Sequence, residues 1–290
     1  MPEAKVGVIG GTGLYDIEGL TDVAEVDVDT PFGKPSDIIV TGRLSGVGVA
    51  FLARHGRGHR LIPTEVPFRA NVYALKSLGV EHIIAINSVG SFKEEIKPGH
   101  LLIPDQLIDR THQRVNTFFG GGIVAHIQFA EPFCALLSQT LYDCAGEAGA
   151  GVHQGGTYVV MEGPAFSTRA ESFLHRSWRA DVIGMTALPE AKLAREAEIC
   201  YSTIACATDY DAWHETEEAV SVDMILNTLK ANIGLSKEII RLAVTRMPDT
   251  RSCACANALE NAIITPLKLV AAEQQKKLGL LLDKYTGKGN

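Results

Sequence analysis

The sequence predicts one three-layer α/β domain, in which helices cover both faces of a central β-sheet. Short apolar runs rich in β-branched residues recur along the 290 residues, each bounded by Gly, Pro or charged residues. Several runs lack strict alternation, which indicates strands buried on both faces, as in a mostly parallel sheet. Segments with helical periodicity lie between the runs, and no Pro/Ser-rich linker or fixed-period repeat divides the chain.

The elements follow one another in a largely alternating order. Strands are predicted at residues 6–9, 37–40, 47–52, 82–86, 101–103, 158–161, 181–183 and 202–207. Helices are predicted at residues 66–78, 132–148, 167–179, 187–197, 222–242 and 267–282, with Gly79 and Gly149 ending the first two. We therefore expect a single domain over residues 1–290. Its core covers about 5–242, and a loose connection at 246–260 precedes a C-terminal helical extension at about 260–284.

Composition excludes several classes of protein. A hydrophobic content of 46% is typical of a globular enzyme, and a net charge of −7 argues against a general nucleic-acid binder. The local basic cluster from Arg54 to Arg60 is then better suited to a small anion than to a polyanion. No signal peptide and no apolar stretch of about 18 residues is present, so we predict a cytoplasmic protein that does not bind membranes.

Cysteine usage points to reduced thiols. The six cysteines are scattered except for the Cys253-Ala-Cys255 pair. That pair can form a disulfide, although we expect both cysteines to be reduced. Zinc is favoured still less, because no second close pair of Cys or His accompanies it, and no metal site is predicted.

A glycine-rich turn follows the first strand, in the segment from Val6 to Leu14. Its backbone N–H groups and the Thr12 hydroxyl suit an anion such as phosphate. The dinucleotide fingerprint fails because Asp16 stands where its third glycine belongs, which disfavours a nicotinamide dehydrogenase, and the Walker pattern fails as well. A tight strand–turn packing motif explains the loop equally well when it is taken alone.

Polar residues collect at further predicted strand ends, where ligands bind in open α/β sheets. Arg54 can grip phosphate through a bidentate fork, with His55 beside it, although a solvated basic loop is the commoner explanation of such a pair. Asp209 and Asp211 are two residues apart, so on a strand their side chains point the same way and could bind a base. A surface acidic loop is an alternative that fits the same spacing. The remaining strand-end residues are Asn87, Ser88, Met185 and Thr186.

Several motifs together resemble the 5′-methylthioadenosine phosphorylases, in the trimeric branch of the purine nucleoside phosphorylase superfamily. These motifs are Ile9-Gly-Gly-Thr-Gly-Leu14, Thr30-Pro-Phe-Gly-Lys-Pro-Ser36, Ala53-Arg-His-Gly56, Ala130-Glu-Pro-Phe-Cys134, Glu162-Gly-Pro-Ala-Phe-Ser167 and Ala207-Thr-Asp-Tyr-Asp211. The resemblance runs in order over about residues 5–242. It implies a single α/β domain with a central mixed sheet, assembled as a homotrimer or a dimer of trimers. In some archaeal members, cysteines like Cys253 and Cys255 form disulfides.

The resemblance also implies a role for each matching residue. Phosphate, a co-substrate in a reaction without a cofactor, would be surrounded by Thr12, Arg54, His55, Asn87, Ser88 and Thr186. Base and ribose would be flanked by Phe166 and Met185, the purine edge would bind Asp209 and Asp211, and a neighbouring subunit would supply His126. Ser167 is a specificity position near the ribose. Val222, Ile225 and Leu226 share one apolar face of a predicted helix, which is commonly explained by core packing. The resemblance instead favours a role for these residues as an apolar wall around the methylthio group.

The implied reaction is phosphorolysis of S-methyl-5′-thioadenosine, with Asp209 as the catalytic acid. Two positions depart from the subfamily, which usually has Thr or Ser at Asn87 and in some members Asn at Gly184, so substrate preference is less well defined than reaction class. A methylthioinosine phosphorylase or a broad-specificity purine nucleoside phosphorylase is the nearest alternative. A nucleoside-binding sensor without catalysis is the non-enzyme alternative.

Overall fold

A computed structural model describes residues 3–11, 13–214 and 222–286, and at residues 222–227 and 229–231 it describes the backbone alone. Thr12 therefore lies outside the described residues. So do the side chains of Val222, Ile225 and Leu226, whose backbones belong to a helix.

The described residues form one mixed sheet of eleven strands, which confirms the predicted α/β class. Its central path runs β2-β3-β4-β1-β5-β10-β9-β7, while β11 pairs with β5 and β6, and β6 pairs with β8. The strands are β1 (Val6–Gly10), β2 (Leu20–Val26), β3 (Ile39–Leu44), β4 (Val47–Ala53), β5 (His82–Ser91), β6 (Leu101–Ile103), β7 (Gln106–Arg110), β8 (Val152–Gln154), β9 (Thr157–Met161), β10 (Val182–Gly184) and β11 (Cys200–Tyr210).

Strand β5 is the centre of this sheet. It is parallel to β1 and β11, and its last two residues pair antiparallel with β10. Strand β4 is parallel to β1 as well, so β1, β4, β5 and β11 all end at the same edge of the sheet. This edge holds most of the predicted strand-end residues.

Seven α-helices accompany the sheet in the described part of the chain. They are α1 (Phe68–Ser77), α2 (Ala135–Glu147), α3 (Arg169–Ser177), α4 (Ala187–Glu196), α5 (Val222–Thr245), α6 (Ala272–Lys277) and α7 (Gly279–Thr286). Helix α3 begins with a capping box, in which the side chains of Thr168 and Glu171 each accept a hydrogen bond from the other residue's backbone N–H. None of the described helices is long and apolar enough to cross a membrane.

The boundaries of some predicted elements were wrong. Strands β5 and β11 are longer than predicted and include Asn87, Ser88 and Asp209, which the sequence had placed after the strands. The predicted helix at 267–282 is instead a short 3-10 turn, Leu267–Leu269, followed by α6 and α7. Strands β2, β7 and β8 were missed, because none of their residues is buried and they therefore lack the apolar run that marks the other strands.

Candidate active site

Strand β5 carries the backbone of the candidate site. Its residues 82–87 are buried, and the strand continues through Ser88, Val89 and Gly90 without a break. Polar groups from β4, α4 and β11 gather along this second half of β5. The site is therefore built along one strand rather than around a loop.

Arg54 lies at one end of this line, one residue beyond β4. Its guanidinium is buried and forms a bidentate pair with Glu190 of α4, with Nε–Oε1 2.6 Å and Nη2–Oε2 3.0 Å. Nη1 also donates to the carbonyl of Ile86 at 2.8 Å and Nη2 to that of Ile9 at 3.3 Å. The bidentate fork that the sequence analysis assigned to phosphate is thus turned to Glu190. Of the five N–H donors of a guanidinium, one on Nη1 has no partner among the described residues.

Glu190 stabilises the positive charge of the Arg54 guanidinium. That carboxylate is fully buried and also accepts a hydrogen bond from the Tyr201 hydroxyl at 3.1 Å. Burial opposes the charge on Arg54, but the adjacent Glu190 carboxylate outweighs it and raises the pKa of the guanidinium. Glu190 was missed at the sequence level, because it is one of several charged residues in the predicted helix and nothing there marks it as buried.

His55 follows Arg54 and is neutral. Burial and the neighbouring Arg54 charge lower the pKa of its imidazole to about 4. Nδ1 lies 2.8 Å from the carbonyl of Leu61, so in the neutral ring Nδ1 carries the proton. Nε2 then has a lone pair that can accept a hydrogen bond from a protonated phosphate oxygen.

A chain of buried hydrogen bonds joins β11, β5 and the segment before α4. The Thr203 hydroxyl donates to Oδ1 of Asn87, and Nδ2 of Asn87 donates to the Thr186 hydroxyl at 2.5 Å. Both Asn87 and Thr186 are buried. Because the Thr186 oxygen accepts from Asn87, its own O–H is directed elsewhere and can be donated to an anion.

The carboxylates of Asp209 and Asp211 lie at the other end of β5. Asp209 pairs with Gly90 across the sheet, after a β-bulge between Ala207 and Asp209. A Cβ atom on Gly90 would lie 3.1 Å from Oδ2 of Asp209 and 3.2 Å from Cβ of Asp211, so glycine leaves the room that both side chains use. The i, i+2 spacing does bring the two aspartates together.

The surroundings of the two carboxylates differ. The Thr208 hydroxyl donates to Oδ1 of Asp209 at 2.6 Å. Burial raises the pKa of Asp211, although the nearby hydroxyls of Ser172 and Ser167 oppose this. A buried carboxyl group of this kind accepts or shares a proton more readily than an exposed one.

Arg114 and Glu162 support the segment between the two ends. Arg114 donates through Nη1 to the carbonyls of Met185 and Leu188, and its side chain is almost wholly buried. Glu162 accepts hydrogen bonds from Arg114 and from the Thr64 hydroxyl. Burial alone would raise the pKa of Glu162. These bonds and the backbone N–H donors of residues 112 and 113 outweigh that effect and lower the pKa to about 2. Glu162 stood in a motif of the sequence analysis without a role, and nothing in the sequence pointed to Arg114.

The remaining predicted site residues lie around the polar groups along β5. Met185 is half-buried beside Thr186, and Phe166 is half-exposed at the surface. Ser167 lies between Phe166 and the start of α3, with its hydroxyl 3.9 Å from the sulfur of Met161. Ser88 is exposed within β5.

His126 lies on an exposed segment near the C-terminal extension. Its backbone N–H donates to the carbonyl of Ala262, and Ala125 forms a β-bridge with Ile263. The imidazole is exposed and forms no hydrogen bond with the described residues of its own subunit.

The two ends of the site are separated by the length of β5 from Ile86 to Gly90. Four residues of a strand span about 13 Å, which is the scale of a nucleoside with an attacking anion behind it. One end offers a buried cation and hydroxyl donors, and the other offers two carboxylates. This arrangement fits a ligand with an anion at one end and a nitrogen-rich base at the other.

Comparison with known proteins agrees with this description. Residues 5–245 match the family model described as the phosphorylase superfamily, and the chain belongs to that superfamily. The chain is 61% identical to the S-methyl-5′-thioadenosine phosphorylase of Geobacter sulfurreducens, over 98% of this chain and 99% of that protein. It is 54% identical to the enzyme of that name from Thermosynechococcus vestitus, over 97% of this chain and 99% of the relative.

Solved structures show the same similarity. A methylthioadenosine phosphorylase from an Antarctic soil metagenomic library superposes with a TM-score of 0.94 at 48% identity, covering 97% of this chain and 100% of that one. The methylthioadenosine phosphorylase of Schistosoma mansoni in complex with adenine gives a TM-score of 0.85 at 37% identity, covering 90% and 99%.

Proposed function

We propose that this protein is a pentosyltransferase that splits S-methyl-5′-thioadenosine with inorganic phosphate. The products are adenine and 5-methylthioribose 1-phosphate. The single observation that carries the proposal is the layout along β5, where Arg54 contacts Ile86 and the carboxylate of Asp209 lies against Gly90. A nucleoside bound between these points has its glycosidic carbon between the anion and the base.

The phosphate end provides positive charge and hydrogen-bond donors. Cleavage of the glycosidic bond develops positive charge on the sugar, and a phosphate held by Arg54, His55 and Thr186 stabilises that charge and then captures C1′. The buried Glu190 keeps the Arg54 guanidinium fixed and charged before substrate arrives. Asn87, Ser88 and Thr12 complete the proposed phosphate set.

The base end stabilises the leaving purine. Asp209, carrying or sharing a proton, hydrogen-bonds N7 and acts as the general acid, while Asp211 supports the purine edge. A carboxylate also accepts a hydrogen bond from a 6-amino group, whereas a 6-oxo group would present an acceptor to an acceptor. This favours adenine over hypoxanthine as the leaving base, and it disfavours the methylthioinosine alternative.

The sugar and its 5′-substituent are proposed to contact Phe166, Met185 and Ser167. Val222, Ile225 and Leu226 are proposed to form the apolar wall for the methylthio group. We also propose that His126 acts in the site of a neighbouring subunit within a homotrimer or a dimer of trimers. Its exposed imidazole, beside the exposed side chains of Val124 and Ile264, supports that assignment.

The proposed reaction uses inorganic phosphate as co-substrate and no cofactor, since phosphate supplies the nucleophile and Asp209 the acid. A cytoplasmic location is proposed as well. The free state of all six cysteines supports it, because the cytosol keeps thiols reduced.

The test is an assay of base release from methylthioadenosine, adenosine, inosine and methylthioinosine, each with and without phosphate. We expect adenine release that depends on phosphate and is fastest with methylthioadenosine. Release that is independent of phosphate would indicate a hydrolase, binding without release would indicate a nucleoside sensor, and a preference for 6-oxopurines would contradict the role given to the carboxylates.

A further inference from the structure

Four cysteine side chains converge on one point near the N-terminal ends of β5 and β11, outside the candidate active site. The sulfur atoms of Cys134, Cys200, Cys253 and Cys255 all lie within 4.8 Å of one another. Cys134 directly precedes α2, Cys200 begins β11, and the other two flank Ala254 in a 3-10 turn. Three of the four are buried and Cys253 is half-buried. The fold therefore brings together thiols from three separate segments.

The spacing of the sulfur atoms suits a shared cation better than a covalent pair. The Sγ atoms of Cys200 and Cys253 are 3.2 Å apart and all four cysteines are free, whereas a disulfide bond is about 2.05 Å long. A tetrahedral zinc ion with Zn–S bonds of about 2.3 Å holds its sulfur ligands about 3.8 Å from one another. We propose that the four thiolates bind one zinc ion in a closed, tetrahedral, structural site.

The surroundings of the cluster fit a negatively charged metal–thiolate group. Arg251 and His82 line the same cleft as Cys134, Cys200 and Cys253. The side chain of Arg251 is only 14% exposed and lies 3.8 Å from the half-exposed Glu81, so its positive charge is also available to offset part of the two net negative charges of a Zn(Cys)₄ group. His82 is buried, and its Nδ1 atom has no partner among the described residues, so its ring is available to donate to a thiolate.

Zinc binding at this cluster is chemically balanced without any further reagent. Four S–H bonds break, four Zn–S bonds form, and four protons pass to solvent. A disulfide between Cys200 and Cys253 would instead require an acceptor for two electrons. In a reducing compartment, metal binding is the chemistry open to four convergent thiols.

The position of the cluster defines its role as structural. Cys200 lies nine residues before Asp209 on β11, about 30 Å along a strand, and it pairs with His82, which is four residues, or about 13 Å, before the Ile86 carbonyl that Arg54 contacts. The zinc ion joins the connection at residues 246–260 to the start of α2 and to the sheet. It stabilises the attachment of the C-terminal segment and takes no part in glycosidic bond cleavage.

The experiment measures metal content and stability of the full-length protein. The protein is purified with a non-thiol phosphine reductant and without chelator, and metals are quantified by mass spectrometry. We expect one zinc per chain, and we expect Cys134→Ser and Cys255→Ser to lose it. The matched controls Cys144→Ser and Cys206→Ser change buried cysteines outside the cluster and keep the metal. Removal of zinc from the wild type should lower Tm by roughly 5–10 °C, and re-addition of Zn²⁺ should restore it.

Two measurements on the wild type keep the test decisive if the serine variants fail to fold. Co²⁺ loaded in place of zinc should give thiolate-to-cobalt charge-transfer bands and the visible bands of a tetrahedral ion. Titration with a mercurial thiol reagent should release zinc as the thiols react. Absence of zinc after Zn²⁺ addition and dialysis, retention of zinc by both serine variants, or a Cys200–Cys253 disulfide in the reduced preparation would overturn the proposal.

Discussion

Glu190 is a residue whose replacement should affect both stability and phosphate binding. It is fully buried, and its carboxylate binds Arg54 through two hydrogen bonds of 2.6 and 3.0 Å. Glu190→Gln leaves the guanidinium charge buried without its counter-ion, which typically costs about 3–5 kcal/mol of unfolding free energy. We expect a Tm lower by roughly 6–15 °C and a higher KM for phosphate, because Arg54 loses its fixed orientation.

Thermal unfolding and phosphate saturation kinetics measure the two effects. The matched control is Glu238→Gln, which removes a half-exposed partner of Arg241 on α5 and should change stability by less than about 1 kcal/mol. A Glu190→Gln protein with unchanged Tm and unchanged phosphate KM would show that the buried pair supports neither folding nor the anion site.

In the proposed mechanism, Asp209 decides which purine leaves. In Asp209→Asn an amide replaces the carboxyl group, so the proton for N7 is lost and the side chain can donate to a 6-oxo group. We expect kcat/KM for methylthioadenosine to fall by about 10²-fold or more, with a gain for methylthioinosine. Steady-state kinetics on both nucleosides give the ratio, and the fully exposed Asp249→Asn serves as control. A ratio that stays constant would remove Asp209 from base recognition.

At the scale of elements, helix α4 is joined to the segment before residue 119 by a buried carboxylate. Glu196 accepts hydrogen bonds from the Thr117 hydroxyl and from the N–H of Phe118, both at 2.7 Å. Burial outweighs these bonds and raises the pKa of Glu196 from 4.5 to about 7. Between these two pH values the folded chain holds a proton that the unfolded chain releases. The contribution of Glu196 to the free energy of unfolding is therefore fully present below about pH 4.5 and is lost as the pH rises through about 7.

Glu196→Gln removes this titration and tests it. Relative to wild type, the variant should gain on the order of 3 kcal/mol of unfolding free energy between pH 4.5 and pH 8. Denaturant unfolding of both proteins across that range measures the difference, with the exposed Glu260→Gln as control. A difference that does not change with pH would mean that Glu196 is ionised in the folded protein at all these pH values.

The limits of sequence-based prediction are clearest at the level of elements. The repeated apolar runs predicted the buried strands well, because strands covered on both faces have an unmistakable composition. The ends of β5 and β11 were missed, because polar residues such as Asn87 and Asp209 resemble a loop until the neighbouring strand supplies their hydrogen bonds. Edge strand β2 carries no buried residue and so lacks this signal altogether.

Prediction of the candidate site from the sequence relied on recognisable motifs and on polar residues at predicted strand ends. Asp209 and Asp211 are two residues apart, so the sequence alone indicated that they act together. Arg54 and Glu190 are 136 residues apart, and only the fold shows that they form a pair. The cysteine cluster has the same origin, because the CxC pair acquires its other two ligands from Cys134 and Cys200.

At the scale of the whole molecule, the proposed assembly makes each site depend on two chains. The exposed His126 would reach the site of a neighbour. A substitution of His126 would therefore impair the neighbour's site, whereas a substitution of Asp209 would impair the site of its own chain. Chains with His126→Ala and chains with Asp209→Asn would each be impaired when assembled alone. In a mixed oligomer, a His126→Ala chain beside an Asp209→Asn chain has an intact aspartate of its own and an intact histidine from its neighbour.

Co-expression of the two variants with different affinity tags tests this arrangement. Random assembly at equal amounts should restore about one quarter of the wild-type activity per chain in the unfractionated mixture, and about one third in doubly tagged trimers, each of which has one complete site. Both values lie well above the sum of the two separate variants. Activity on methylthioadenosine is measured on the doubly tagged fraction, and the mass of that fraction distinguishes a trimer from a hexamer. If His126 acts within its own subunit, mixing leaves the activity at the sum of the parts, because no site then regains both groups.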